Sequence, residues 1–171
     1  MITFLKLIRY KNLLMILVTL VLIKFTLLDY FVTISMFTNT LFYWFTLSIL
    51  FTTAAGYIIN DIFDVKIDLI NKPNRTYIGK HISLKFAWIS YGILTLLGIL
   101  CAMVLINSSV YRWKLFSFFI LFPLALFLYS FYLKKIALLG NIFIAFISYY
   151  TIIQISKFSL PTIHQKENID M

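Results

Sequence analysis

Five apolar runs set the terms for this chain. Leu13–Leu28, Leu41–Ile59, Phe86–Ile106, Leu115–Leu133 and Leu138–Ile155 approach or reach the length at which a helix crosses a bilayer. That length is about 20 residues, because a helix rises about 1.5 Å per residue through a hydrocarbon core of about 30 Å. The runs are too long for strands and lack the alternation of a membrane barrel. In lipid, a helix supplies its own backbone partners. The expectation is therefore an all-α integral membrane protein with about five transmembrane helices. Composition agrees: 62% of the 171 residues are hydrophobic and only 12% are charged. A soluble chain of this size has too little interior to hide so much apolar surface. A soluble globular enzyme, a disordered chain and a nucleic-acid-binding domain are excluded. The net charge of +9 does not reopen the last option, because the basic residues flank apolar runs. The single cysteine, Cys101, forms no disulfide framework and reads as an inert thiol inside an apolar run. Lys24 interrupts the first run near its distal end and is expected to snorkel to the headgroups.

Basic residues also orient the spans. With the amino terminus inside, Lys6, Arg9, Lys11, Lys66, Lys72, Arg75, Lys80, Lys85, Lys134 and Lys135 are cytoplasmic. Arg112, Lys114, Lys157 and Lys166 are then outside, with Lys24 in the membrane. No small-residue cleavage site follows the first run, which reads as a retained anchor rather than a signal peptide. Residues 1–157 form the transmembrane unit. Residues 158–171, polar and containing Pro161, Gln165, Glu167 and Asp170, read as a disordered tail.

The acids are few and badly distributed for a solubilising role. Of six, Asp61, Asp64 and Asp68 gather at the cytoplasmic end of the second run, in Asn60-Asp-Ile-Phe-Asp-Val-Lys-Ile-Asp68. If the helix continues, these carboxylates share one face, and Asn60, Asp64 and Asp68 align at successive turns. Carboxylates about 5–6 Å apart repel by roughly 3 kcal/mol at an effective dielectric near 20. Protonation would relieve this, and so would Mg²⁺, which favours carboxylate and amide oxygens. A solvated helix end neutralised by Lys66, Lys72 and Arg75 would relieve it too.

The following residues, Leu69-Ile-Asn-Lys-Pro-Asn-Arg75, read as a loop broken by Asn71, Pro73 and Asn74. Ser83 reads as the N-cap of the third span. Carboxylates, nearby cations and an apolar chamber together suit a ligand with a diphosphate head and a greasy tail. The carboxylates would hold Mg²⁺ against the diphosphate, and Lys72 and Arg75 would take the remaining charge. Ordinary positive-inside topology accounts for the same two cations.

The run from Asn60 to Asp68, followed by Asn71-Lys-Pro-Asn-Arg75 and Gly79-Lys-His-Ile-Ser83, closely resembles the first aspartate-rich motif of the UbiA superfamily of intramembrane prenyltransferases. The family pattern is N-D-x-x-D-x-x-x-D, then N-K-P-x-R-P and a G-x-I-S stretch. Arg9-Tyr-Lys-Asn12 is similar to the family's amino-terminal R-x-x-N. Tyr129-Ser-Phe-Tyr-Leu-Lys134 and Leu138-Leu-Gly-Asn141 are similar to its fourth-to-fifth span connection, in the branch that makes geranylgeranylglyceryl phosphate ethers. The resemblance covers residues 6–155.

It implies a helical bundle around a lipid-open cavity, with two aspartate-rich motifs facing each other and holding a prenyl diphosphate through Mg²⁺. The allylic cation is then captured by an aromatic or a lipid hydroxyl acceptor. Carried over, Asn60, Asp61, Asp64 and Asp68 support the metal, Asp64 and Asp68 act in catalysis, and Asn60, Lys72, Arg75 and Lys134 hold the diphosphate. Tyr57, Phe63, Tyr129 and Tyr132 are candidates to face the cation. His81 and His164 are not expected to be catalytic. Family members have nearly twice as many spans, and no acidic cluster follows Asp68. Thr76 stands where the family has proline. The chain thus reads as the amino-terminal half of such an enzyme: an inactive half, one completed by a second polypeptide or a homodimer, or a minimal active form. The readings from another class are a membrane protein using the aspartates as a cation site and a bundle with no ligand.

Overall fold

The computed structural model describes residues 2–28, 39–72, 76–107, 112–136 and 138–159. Among them the backbone is helical, with an isolated bridge between Ile78 and Ile82 and no strand. A short α1 (Ile2–Leu7) leads into α2 (Tyr10–Leu22), which continues as a π-helical segment, Ile23–Leu28. The long α3 (Asn39–Asn71) and α4 (Leu84–Asn107) follow. Then come α5 (Arg112–Phe131), a 3₁₀ turn at Leu133–Lys135, and α6 (Leu139–Ser159). Each of the five apolar runs therefore lies in a helix. By length and apolarity, α3 and the Leu84–Leu105 part of α4 suffice to cross a membrane, whereas Ser117–Phe131 and Leu139–Gln154 are shorter apolar helices.

α3 organises the bundle. Its contacts with α4 are the most extensive in the molecule, and it also packs on α2 and α5. Near its amino end, Phe42, Phe45 and Ile49 bury with Leu20, Ala102, Leu105, Phe118, Phe119 and Phe122. Towards its carboxyl end, Ile58, Ile59 and Ile62 bury with Leu7, Ile78 and Ala87. The aspartate-bearing turns emerge directly from this second cluster. In lipid, packing and not escape from water draws such helices together, so small residues matter at the contact. Ser48 Oγ donates to the Gly98 carbonyl at 2.7 Å across the α3–α4 contact. A Cβ at Gly98 would collide with the Thr52 hydroxyl. Cys101 is buried, as its apolar setting implies.

Outward faces are apolar. On α4, Phe86, Ile89, Ile93, Leu96, Leu100 and Met103 are exposed, a surface suited to hydrocarbon.

Two expectations need correction. The helix does not yield to a loop at Leu69 but runs through Asn71, because the i to i−4 ladder meets no proline until Pro73. Lys24 does not snorkel outward: it is buried in the π-helical segment, its ammonium 5.9 Å from the Phe25 ring centre. Ser83 does cap α4, accepting from the Phe86 N–H at 3.2 Å.

Candidate functional site: a cation–carboxylate cluster above an apolar cavity

Because α3 runs on, Asn60 and Asp64 stand one turn apart, and the Asn60 amide donates to Asp64 Oδ2 at 3.3 Å. Lys134 meets them from the 3₁₀ turn between α5 and α6. Its ammonium lies 2.7 Å from Asp64 Oδ1. It donates to Asn60 Oδ1 at 3.1 Å and to the Asn60 carbonyl at 3.4 Å. Gly140 permits this approach: a Cβ there would lie 3.2 Å from Lys134 Cα and 3.3 Å from the Leu133 carbonyl oxygen.

Asp61 turns to a different partner. Its Oδ1 accepts from Arg9 Nη2 at 3.0 Å. The Arg9 guanidinium also lies over the Tyr57 ring, 4.9 Å from its centre, and Asn12 donates to the Tyr57 hydroxyl at 3.4 Å. Among the described residues, the carboxylates of Asp61 and Asp64 are thus met by Arg9 and Lys134, which are remote in sequence, and not by Lys66 or Lys72.

The remaining expected site residues are not gathered in. Asp68 is partly exposed and Lys72 exposed, and neither side chain meets a partner among the described residues. The backbone N–H of Lys72 donates to the Asp68 carbonyl at 2.8 Å, and the Thr76 hydroxyl donates to the Lys72 carbonyl at 2.9 Å. Arg75 lies outside the described residues, as do His164 and most of the proposed tail. Among the described residues, no three acidic, histidine or cysteine side chains converge as a metal cage. The donor set nevertheless suits a hard cation at one point. An ammonium already bridges Asn60 Oδ1 and Asp64 Oδ1, so these two oxygens face a common cationic position. Mg²⁺ commonly takes only one or two protein carboxylates and completes its shell with water and phosphate.

Next to the cluster lies a cavity of about 540 Å³ between α2, α3, α5 and α6. Arg9, Tyr57, Asn60 and Tyr129 line its polar end, and Leu20, Ile49, Phe122 and Leu126 its apolar depth. The polarity follows from the antiparallel course of α2 and α3: Arg9 meets Asp61, whereas Leu20 packs near Ile49. Of the aromatic candidates, Tyr57 and Tyr129 face this cavity. Phe63 instead packs among Trp88, Phe127 and Phe131, and Tyr132 is exposed.

Residues 17–153 match the model of the UbiA prenyltransferase family. The chain belongs to that family. It is 41% identical over 104 residues to the digeranylgeranylglyceryl phosphate synthase of Methanobrevibacter smithii, covering 60% of this chain and 36% of that one. To the enzyme of the same name from Sulfurisphaera tokodaii it is 41% identical over 95 residues, 56% of this chain and 32% of the other. A solved structure from work on digeranylgeranylglyceryl phosphate synthase in membranes superposes with a TM-score of 0.70 at 28% identity. That match covers 88% of this chain and 50% of the solved one. The chain therefore spans about a third of the length of these curated relatives and half of the solved chain. As a UbiA-family member it is a membrane protein with an all-helical fold, as the apolar runs imply.

Lys134, a candidate from the sequence, lies against Asn60 and Asp64, whereas Arg9, assigned no site role from the sequence, lies against Asp61. The only signal for Arg9 was its place in an R-x-x-N stretch before the first span. Nothing local joins it to Asp61, 52 residues away.

Proposed function

We propose that this chain supplies one face of a Mg²⁺-dependent prenyltransferase site, moving a prenyl group from its diphosphate to a glycerol phosphate-type lipid acceptor. The observation that carries the reading is the Lys134–Asn60–Asp64 cluster beside an apolar cavity. The names of the relatives support the lipid acceptor over an aromatic one. Asn60 and Asp64 would hold Mg²⁺, with Asp61 and Asp68 beside them. Mg²⁺, when bound, neutralises diphosphate charge and so eases departure of the leaving group. Lys134, Lys72 and Arg75 take the remaining anionic charge. The cavity receives the prenyl tail and keeps water from the allylic carbon. The C–O bond to diphosphate breaks, the acceptor hydroxyl oxygen bonds to that carbon, and the hydroxyl proton is released. Tyr57 and Tyr129 present aromatic faces to the developing cation.

The reading includes five spans with the amino terminus and the aspartate-rich end cytoplasmic, which the distribution of Lys and Arg supports. It also includes a second aspartate-rich face contributed by a further segment, a second polypeptide or a second copy. The shares of the relatives' lengths support this. A pure cation site is disfavoured because it has no use for further cations such as Lys134 and Lys72 close to the carboxylates, whereas a metal–diphosphate site does.

The test is Mg²⁺-dependent consumption of radiolabelled geranylgeranyl diphosphate by membranes carrying the 171-residue chain, in a host lacking the activity. Turnover that needs Mg²⁺ and disappears in Asp64→Asn is the expected result for a self-sufficient or self-associating chain. If activity appears only on co-expression with the remaining half of a relative, the chain is a half enzyme. Mg²⁺-independent binding of the diphosphate, unchanged in Asp64→Asn, overturns the reading.

A further inference from the structure

Arg9 lines the cavity but is not among the residues assigned above to the prenyl diphosphate. It opens α2 in the left-handed backbone conformation, φ 52 and ψ 54. For a residue with a Cβ that conformation costs about 1–2 kcal/mol. Such strain persists where surrounding contacts fix it, and here they do. The guanidinium is tied to Asp61 and laid over Tyr57, which Asn12 in turn holds by its hydroxyl. The strain aims the side chain at the polar end of the cavity, whose wall it forms.

The tie to Asp61 leaves capacity. It is a single Nη2–Oδ1 contact, not a two-pronged one, and 44% of the side chain remains exposed. A guanidinium carries several N–H donors in a rigid fork, a geometry matched to phosphate oxygens. Lys134 is 13% exposed and lies against Asn60 and Asp64. The two cations reach α3 through different residues, Arg9 through Asp61 and Lys134 through Asn60 and Asp64. They are thus two cations held at different residues of one end of α3, and of the two Arg9 lines the cavity.

We propose that Arg9 anchors the phosphate of the acceptor, an alkyl glycerol phosphate, while Lys134 serves the diphosphate of the donor. This rests on the function proposed above. Both substrates in that reaction are anions with apolar tails, and both tails must enter one chamber. Two like-charged heads on a single cation would repel. A cation on each side of the Asn60 turn accommodates both and brings the acceptor hydroxyl towards the allylic carbon.

The experiment is equilibrium binding to the full chain in phosphatidylcholine nanodiscs. The probes are 1-O-hexadecylglycerol phosphate, hexadecylglycerol without the phosphate, and geranylgeranyl diphosphate with Mg²⁺. The wild-type chain is expected to hold the phosphate-bearing ether at least ten-fold tighter than the phosphate-free one. Arg9→Met should abolish that preference and leave geranylgeranyl diphosphate affinity within two-fold. Lys134→Met should do the reverse. Arg9→Lys keeps the pair with Asp61 and thereby the fold, but loses the fork, so it should retain only part of the preference. If Arg9→Met or Arg9→Lys keeps the full preference, or weakens only the diphosphate, the assignment is wrong while the proposed function stands. If the wild-type chain binds no geranylgeranyl diphosphate and shows no preference between the ethers, both fall together.

Discussion

Asp64 shares its helix face with other carboxylates, and the ammonium of Lys134, 2.7 Å away, makes that tolerable. Across about 5–6 Å, carboxylates one turn apart repel by roughly 3 kcal/mol at intermediate dielectric, so a cation here is close to obligatory. Lys134 also lies against Asn60 Oδ1 and Asp64 Oδ1, oxygens of the two residues proposed to hold Mg²⁺. Lys134→Met is therefore expected to have two opposite effects. Mn²⁺ alone should bind at least several-fold tighter, measured from the free-ion signal in electron paramagnetic resonance, because the resident charge is gone. Geranylgeranyl diphosphate should bind about ten-fold weaker or worse. Tighter Mn²⁺ binding that persists in the double variant with Asp64→Asn would show that the ion sits elsewhere. Asp61→Asn removes a partly exposed ion pair with Arg9. It should lower stability by less than about 1 kcal/mol, read from thermal unfolding in detergent.

The connection between α5 and α6 decides where Lys134 stands. The 3₁₀ turn Leu133–Lys135 packs against the first turn of α6 because Gly140 has no side chain. In Gly140→Val the added atoms meet backbone at Lys134 and Leu133 as well as the Tyr129 ring, and backbone cannot swing aside. The expected outcome is loss of diphosphate binding comparable to that of Lys134→Met, together with a lower unfolding temperature. If the temperature falls and binding is unchanged, the turn does not position the lysine. At the start of α4, Ser83 caps through its hydroxyl. Ser83→Ala should cost about 1 kcal/mol in thermal unfolding without altering diphosphate affinity, since the cap stabilises α4 and touches no site residue.

For the whole molecule, topology is open to direct measurement. With the amino terminus inside, a cysteine at the exposed Lys80 should resist a membrane-impermeant maleimide added from outside. One at the exposed Thr40 should react, both in a Cys101→Ala background. Equal labelling of the two positions would overturn the inside assignment of the aspartate-rich end. Much of this architecture was legible in the chain itself. Apolar runs of near-membrane length dictate helices, because lipid offers the backbone no other partner. The clustered Asn60, Asp61, Asp64 and Asp68 mark one end of α3, because their spacing falls on one side of a 3.6-residue helix. What the sequence did not carry is which cation answers which acid. Lys66, Lys72 and Arg75 are the near candidates, yet among the described residues the partners of Asp61 and Asp64 are Arg9, at the start of α2, and Lys134, in the turn before α6. Local spacing is fixed by helical geometry and can be read along one dimension. Pairing across helices depends on how α2, α3, α5 and α6 pack, and so do the cavity that Arg9 and Asn60 line and the burial of Lys24. Those were decided only by the tertiary structure, because side-chain volumes and small-residue contacts such as Gly98 against Thr52 set which helix faces meet.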